Sequence, residues 1–351
     1  MEMSEAGGSP LSARSLTQQG GPYSGIPSFA RRPYVANGQQ LAAAAPDIAV
    51  LGAPWDGGTW HRPGARFGPR AIRANSSFAG TFHIDTGIDL FEVLDVVDYG
   101  DAYCPHGMTE AAHAAIEARV DEVVRLGIIP VVLGGDHSIT CPSATAVARA
   151  VGWSKVGVIH FDAHADTADS VDGNLASHGT PMRRLLESGA VLGGNFVQIG
   201  LRGYWPPRDV FDWMRRQGMR WHSMEEVWER GAIQVARDAA LEAGAGCDAI
   251  YLSVDVDVLD PGFAPGTGTP EPGGMHPADL LRAVRLIAST TNIVGIDIVE
   301  VSPPYDHSDI TVNVAQRLVL EAFAGMAARK LQAGGALPAP PRSLYDTGEH
   351  T

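Results

Sequence analysis

The chain has 351 residues, 45% of them hydrophobic and 19% charged, with 40 acidic side chains against 26 basic ones and a formal net charge of -14. That length and balance suit a globular protein with a large buried core, and an acidic excess without a basic stripe argues against a nucleic-acid backbone as partner. Cys104, Cys141 and Cys247 are widely spaced and form no Cys-x-x-Cys pattern, which argues against a disulfide framework or structural zinc cluster; with no signal-like start and no run near the ~18 apolar residues of a membrane helix, a cytoplasmic protein without membrane contact is expected.

Residues 1–46 are rich in Gly, Ser, Pro, Gln and Ala and read as an irregular arm, either loosely ordered or packed on a neighbouring subunit. A single catalytic domain is expected over residues 47–332. Strand-like apolar runs lie near 47–53, 93–98, 128–133, 156–161, 195–200, 219–223, 248–254 and 292–298. Between most of them lie helix-like stretches, such as 109–126 and 277–288, with apolar residues three and four apart. Near-continuous apolar strands alternating with helices predict an α/β fold with a parallel sheet of about eight strands, covered on both faces. Residues 333–351, with Pro338, Pro340 and Pro341, read as an irregular tail.

Three of these runs end in aspartate and histidine: Gly134-Gly135-Asp136-His137-Ser138, Asp162-Ala163-His164-Ala165-Asp166 and Asp255-Val256-Asp257. In an extended strand, residues two apart share a side, so 162, 164 and 166 are expected to project together, as are 255 and 257. The carboxyl ends of parallel strands are also where ligands collect. His137, Asp162, His164, Asp166, Asp255 and Asp257 would then meet, and four clustered carboxylates require compensating positive charge. The set exceeds what one ion needs and suits two divalent ions sharing bridging carboxylates. Oxygen-rich ligation with two imidazoles and no sulfur favours Mn²⁺, with Ni²⁺, Co²⁺, Fe²⁺ or Zn²⁺ also accommodated. One Asp-x-Asp alone is more often a turn or helix cap; three clusters on three strand ends carry the metal reading. Asp136 is set apart, as a cap or a support for His137.

With these motifs the chain resembles the ureohydrolase (arginase/agmatinase) family, closest to its agmatinase-like branch. The resemblance rests on residues 134–138, Phe-Asp-Ala-His-Ala-Asp at 161–166, Ser-Val-Asp-Val-Asp-Val-Leu-Asp-Pro at 253–261 and Asp-Ile-Val-Glu-Val at 297–301. Arg-Pro-Gly-Ala-Arg-Phe-Gly-Pro at 62–69 and Phe-Ala-Pro-Gly-Thr-Gly-Thr-Pro at 263–270 support it. It implies a three-layer α/β/α fold, a dinuclear manganese-type centre on the six residues above, and a trimeric or hexameric homo-oligomer. It further implies hydrolysis of a guanidino compound to urea and an amine, by a metal-bridging hydroxide attacking the guanidinium carbon. Glu300 matches the guanidinium-binding glutamate, a role a carboxylate fills with paired hydrogen bonds. His178 matches the histidine credited with proton transfer, which a near-neutral imidazole can perform. Asp257 would also help to stabilise the tetrahedral intermediate.

The substrate's far end is less determined. The asparagine and serine positions that follow the metal-binding Asp-x-His-x-Asp in arginases are not reproduced in residues 167–178, which disfavours L-arginine. Ala168, beside Asp169, stands where agmatinases typically carry tyrosine. Trp60, His61 and His276 also depart from the family pattern, and Tyr204-Trp205 offers aromatic wall. A pocket formed by Trp60, His61, Ala168, Asp169 and His276 is expected to take agmatine, guanidinobutyrate, guanidinopropionate, free guanidine or an N-alkyl guanidine or biguanide, since aromatic faces suit cations. Two alternatives are a single-zinc deacetylase of the related fold, which needs only one ion, and a regulatory paralogue working in a hetero-oligomer with an active subunit, which usually lacks ligands.

Overall fold

All eight expected runs form strands in the structure, a computed structural model that describes residues 21–337 except 248. In chain order the strands are β1 (Ile48–Ala53), β2 (Phe82–His83), β3 (Ile88–Asp89), β4 (Val96–Asp101), β5 (Ile129–Gly134), β6 (Val156–Phe161), β7 (Phe196–Leu201), β8 (Arg220–Ser223), β9 (Ala249–Asp255) and β10 (Ile293–Val299). Eight of them build one sheet in the order β4-β1-β5-β10-β9-β6-β7-β8, and every pairing in it is parallel. The two-residue strands β2 and β3 form a separate antiparallel ribbon that the hydrophobic pattern does not announce.

Strand alternation sorts the core into two layers. Ile159 and Phe161 of β6 face a cluster closed by the helices Gly68–Ser76, Ala232–Ala243, Pro277–Thr290 and Ile310–Ala333. Val156 and Val158 face the opposite cluster, closed by Thr109–Val124, Thr140–Val151, Pro181–Glu187 and Arg208–Gln217. Helices therefore cover both faces, which is why the strands read as unbroken apolar runs rather than alternating ones. The result is a three-layer α/β/α sandwich.

The described part of the N-terminal arm is more ordered than its composition suggests, and it packs on its own chain. Phe29 is buried edge-on against Phe323, its N–H donates to Asp98 at 2.7 Å, and Gly38–Ala44 is a helix capped by Asn37. Residues 1–20 and 338–351, to which the rest of the arm and most of the tail belong, lie outside the described residues.

The sheet order also determines where chemistry can gather. β5, β10, β9 and β6 are four consecutive, doubly flanked strands, and their carboxyl ends deliver His137, Glu300, Asp255 and Asp162 to the same edge of the sheet. The β5 and β10 ends are tied together by the Glu300 N–H, which donates to the Gly135 carbonyl at 2.9 Å. Position 135 must be glycine for this packing: a Cβ there would lie 2.0 Å from the Trp55 carbonyl oxygen.

Candidate metal centre

His137, Asp162, His164, Asp166, Asp255 and Asp257 do converge, but not by the strand alternation expected. β6 ends at Phe161, and Asp162–Asp166 leave the sheet as a loop in which Asp166 has φ 53°. The Asp162 carboxylate accepts the His164 N–H at 2.6 Å, an Asx-type turn that folds the segment back on itself. β9 likewise ends at Asp255, and Asp257 sits in a 3₁₀ turn whose N–H donates to Asp255 at 2.8 Å. Loops and 3₁₀ turns, not extended strands, aim five of the six ligands, His137 included; Asp255 alone stands in a strand. Asp136 is a cap: Oδ1 accepts the Ser138 N–H at 3.0 Å, and Oδ2 accepts the Gly58 N–H at 2.6 Å, anchoring the loop that carries Trp60.

The donor atoms divide into two groups that share Asp162. The His137 Nδ1 atom lies 3.0 Å from Asp162 Oδ2, 3.0 Å from Asp166 Oδ2 and 3.1 Å from Asp255 Oδ2. The His164 Nδ1 atom lies 3.0 Å from Asp257 Oδ2 and 3.5 Å from Asp162 Oδ1. One oxygen of Asp162 thus serves each group.

The hydrogen bonds behind His137 determine its tautomer. Asp297 can only accept, and it takes the hydroxyl protons of Ser253 at 2.7 Å, Thr140 at 2.8 Å and Tyr251 at 2.7 Å. With its proton committed to Asp297, the Ser253 oxygen must accept from His137 Nε2, at 2.9 Å. Nε2 therefore carries a proton, and Nδ1 is the atom that meets three carboxylate oxygens. Burial opposes protonation, but without a cation those carboxylates hold the ring protonated well above the usual imidazole range, and a cation would take the place of that Nδ1 proton. The Nε2 bond to Ser253 thus leaves Nδ1 as the ring atom directed at the ion. His160, which the sequence reading passed over, has a supporting role: Gln198 donates to its Nδ1 at 2.9 Å, leaving its Nε2–H to donate to Asp162 at 2.9 Å. Its position two residues before Asp162 on one side of β6 was the signal available in the sequence.

Charge and burial agree. The Asp162, Asp255 and Asp257 side chains are at most 3% exposed. Burial, then Asp257 and Asp162, pushes the Asp255 carboxyl well above its ordinary range; burial and Asp162 push Asp257 upward too. Cations held between these groups are what would return both to the ionised form. The donor set thus fits two divalent ions, one at each group.

Glu300 and His178 meet beside this cluster. Glu300, at φ 62°, is 1% exposed; Oε1 accepts the His137 N–H at 2.9 Å and the His178 Nδ1–H at 2.8 Å, while the buried Oε2 has no hydrogen-bond partner among the described residues. The His178 Nε2 atom accepts the Trp60 backbone N–H at 3.1 Å. Burial disfavours the imidazolium, but the Glu300 carboxylate outweighs it and holds the His178 pKa up at about 9. The Trp60 N–H opposes that shift, because a proton on Nε2 displaces it.

A cavity of about 420 Å³ opens over the cluster, bounded by Trp60, Val171, Asp172, His178, Gly179 and Trp205 as well as ligand side chains. Of the residues expected to bind substrate, Trp60 lines it, whereas Glu300 is buried beside the wall, reached through His178. His61 stacks on Trp60, with ring centroids 5.9 Å apart, but is not part of the wall. Ala168 and Asp169 line a neighbouring cavity instead, and Asp169 pairs there with Arg183 at 3.2 Å. His276 caps the helix Pro277–Thr290 and stacks on Phe263, which keeps it out of the wall. Trp205 forms wall, while its neighbour Tyr204 is fully exposed.

A family model described as the arginase family matches residues 46–325. The human mitochondrial guanidino acid hydrolase is 39% identical over 297 residues, covering 85% of this chain and 82% of that protein. The solved proclavaminate amidino hydrolase of Streptomyces clavuligerus superposes with a TM-score of 0.80 at 35% identity, covering 88% of this chain and 100% of that one. A Trypanosoma cruzi formiminoglutamase solved with Mn²⁺ superposes with a TM-score of 0.75 at 28% identity, covering 81% of this chain and 94% of that one.

Proposed function

Because the chain belongs to the arginase family, we propose that it is a two-metal hydrolase that converts a guanidino compound and water to urea and an amine. The observation that carries this reading is the division of donors around Asp162. One imidazole nitrogen faces three carboxylates on one side of it, and a second imidazole–carboxylate group lies on the other. His137, Asp162, Asp166 and Asp255 would hold one ion, and Asp162, His164 and Asp257 the other. A deacetylase of the related fold needs one such group, and a regulatory paralogue needs neither.

Divalent ions bound there acidify water toward neutrality and neutralise the buried carboxylates. The protein's own side chains supply the rest. Glu300 receives the guanidinium through its unpartnered Oε2, a charge-assisted hydrogen bond in a dry site. Its other oxygen is already held by His137 and His178, so the acceptor is pre-oriented. Asp257, fixed by the Ala163 N–H at 3.1 Å, offsets positive charge on the amino groups of the carbon under attack. His178 delivers a proton from Nε2 to the departing nitrogen, and Nε2 then regains the Trp60 N–H, which stabilises the neutral imidazole.

Mn²⁺ is the ion the oxygen-rich donor set favours, with Ni²⁺ the competitor. We also read the active form as a cytoplasmic homo-oligomer, trimer or hexamer; no helix among the described residues is long and apolar enough to cross a membrane. The test is a urea-release screen across guanidino compounds with Mn²⁺ and Ni²⁺ in parallel, with metal counted per chain. Urea release with two ions per chain is expected. Two bound ions and no urea from any compound would remove the assignment, and a single zinc would favour the deacetylase.

A further inference from the structure

The cavity over the metal centre has a charge pattern that selects against one kind of substrate. Its outer wall is largely indole and valine surface, and among the described residues neither lysine nor arginine lines it. Trp205 stands over the ligand His164, with ring centroids 6.2 Å apart. It has room there because position 179 is glycine: a Cβ would lie 3.1 Å from the Trp205 ring and 3.3 Å from Val171. Across the mouth, the Trp60 indole N–H donates to Asp172 Oδ2 at 3.2 Å, so an aromatic ring and a carboxylate together arch over the opening.

An ω-guanidino acid bound with its guanidinium at Glu300 would place its carboxylate among these groups. At the mouth it would meet two indole rings, Val171, the Ser170 and Thr269 hydroxyls and the like charge of Asp172. Apart from the ligands, the one cationic side chain of the wall, His178, is engaged by Glu300 at the guanidinium end. Trp60 and Asp172 are exposed, so an anion there is disfavoured by repulsion from Asp172 and by apolar neighbours that offer it no charge partner, rather than by full desolvation. Arg183 belongs to the adjoining cavity behind Trp205 and is already engaged. Its guanidinium lies 4.6 Å over the Trp213 ring and pairs with Asp169 at 3.2 Å and Glu187 at 2.9 Å.

We propose that the substrate of this chain is a guanidine whose substituent carries no carboxylate, a short alkyl group packed between Trp60 and Trp205. Asp172 is then the specificity residue that disfavours guanidino acids, the class named for the human relative. The proposal rests on the guanidino-hydrolase reading above and narrows its substrate. Trp60 and Trp205 give the alkyl group apolar surface, and their π faces tolerate the adjoining delocalised cation. Asp172 adds attraction for that cation at the mouth and repulsion for an anion.

The experiment compares kcat/KM for butylguanidine and 4-guanidinobutyrate on the metal-loaded enzyme. The two differ mainly in the terminal carboxylate. About a fivefold to tenfold preference for butylguanidine is expected, and Asp172→Lys, which places a cation at the mouth, should abolish that preference with metal content unchanged. Trp205→Ala should raise KM for butylguanidine at least 10-fold, also with both ions retained. Equal or better turnover of 4-guanidinobutyrate overturns this proposal while leaving the hydrolase reading intact. A preference that Asp172→Lys does not move overturns the role of Asp172. No urea from any guanidine overturns both readings.

Discussion

Ser253→Ala tests the logic of the centre without touching a ligand. The Ser253 hydroxyl is fully buried and joins His137 Nε2, at 2.9 Å, to Asp297, at 2.7 Å. Its removal leaves a buried imidazole N–H and one carboxylate oxygen without their partner, at about 1–3 kcal/mol for an unsatisfied buried group. Nothing then holds the proton on Nε2, so the imidazole redistributes toward the tautomer protonated on Nδ1, where the proton bonds a carboxylate and blocks the metal. A tenfold change in affinity is about 1.4 kcal/mol, so the expected loss is about 10- to 100-fold in the affinity of one ion. Calorimetric titration of Mn²⁺ into chelator-stripped protein reads it directly. Tyr251→Phe is the matched control. It removes a different donor to Asp297, at 2.7 Å, and leaves the serine–histidine bond in place, so a change under about threefold is expected. Equal affinities for Ser253→Ala and the unmodified chain, with the fold intact, would refute the tautomer argument; so would a larger loss in Tyr251→Phe.

Asp162→Ala should bind no ion stoichiometrically, because its two oxygens serve both groups, whereas His164→Ala should retain one ion per chain; elemental analysis after gel filtration distinguishes them. Phe323→Ala should destabilise the protein by about 3–5 kcal/mol, since the ring is fully buried and packs edge-on against Phe29 and Phe91; a loss under 1 kcal/mol in urea unfolding would contradict that packing. Glu321 is held below the ordinary glutamate range: burial opposes this, but His83, Arg317 and Arg285 prevail. Its stabilisation is therefore present above the unfolded glutamate's pKa and lost as pH falls through the lower folded value. Glu321→Gln should accordingly be less stable than the parent at pH 7, the gap closing in acid; a constant gap across the titration would remove the ion-pair account.

The layers of this fold were legible because burial on both faces makes each central strand a continuous apolar run, and all eight runs became strands. The ligands were legible for a related reason: one such acid at a strand end is an ordinary cap, but three Asp/His clusters on three strand ends exceed what caps and turns require. The way they meet was not legible. The left-handed backbone at Asp166 and the 3₁₀ turn at Asp257 are set by tertiary contacts, such as the Ala163 N–H on Asp257, that local spacing does not encode. The Ser253–Asp297–Tyr251–Thr140 network was equally hidden, since Thr140 and Asp297 stand 157 residues apart and become neighbours only once the sheet is ordered. Around the cavity, Trp60 stood out as a departure from the family pattern and Trp205 as an aromatic in a loop after β7, and both line it. His276 does not, because a histidine before Pro277 serves a helix cap as readily as a substrate.

Asp166 and Glu300 both sit in left-handed backbone, at φ 53° and 62°. For a non-glycine residue that conformation costs roughly 1 kcal/mol. Both residues also take part in the crowding of carboxylates at the end of the sheet. This end of the molecule is therefore frustrated until positive charge arrives. Ions at a hundred times their dissociation constant add about 2.7 kcal/mol to folding, enough to reverse much of that local penalty. Metal supply then governs two quantities at once: how fast each molecule turns over, and how long it survives proteolysis. Under metal starvation the pool of protein should shrink as well as fall silent, so that the ion acts as a selector of which copies persist.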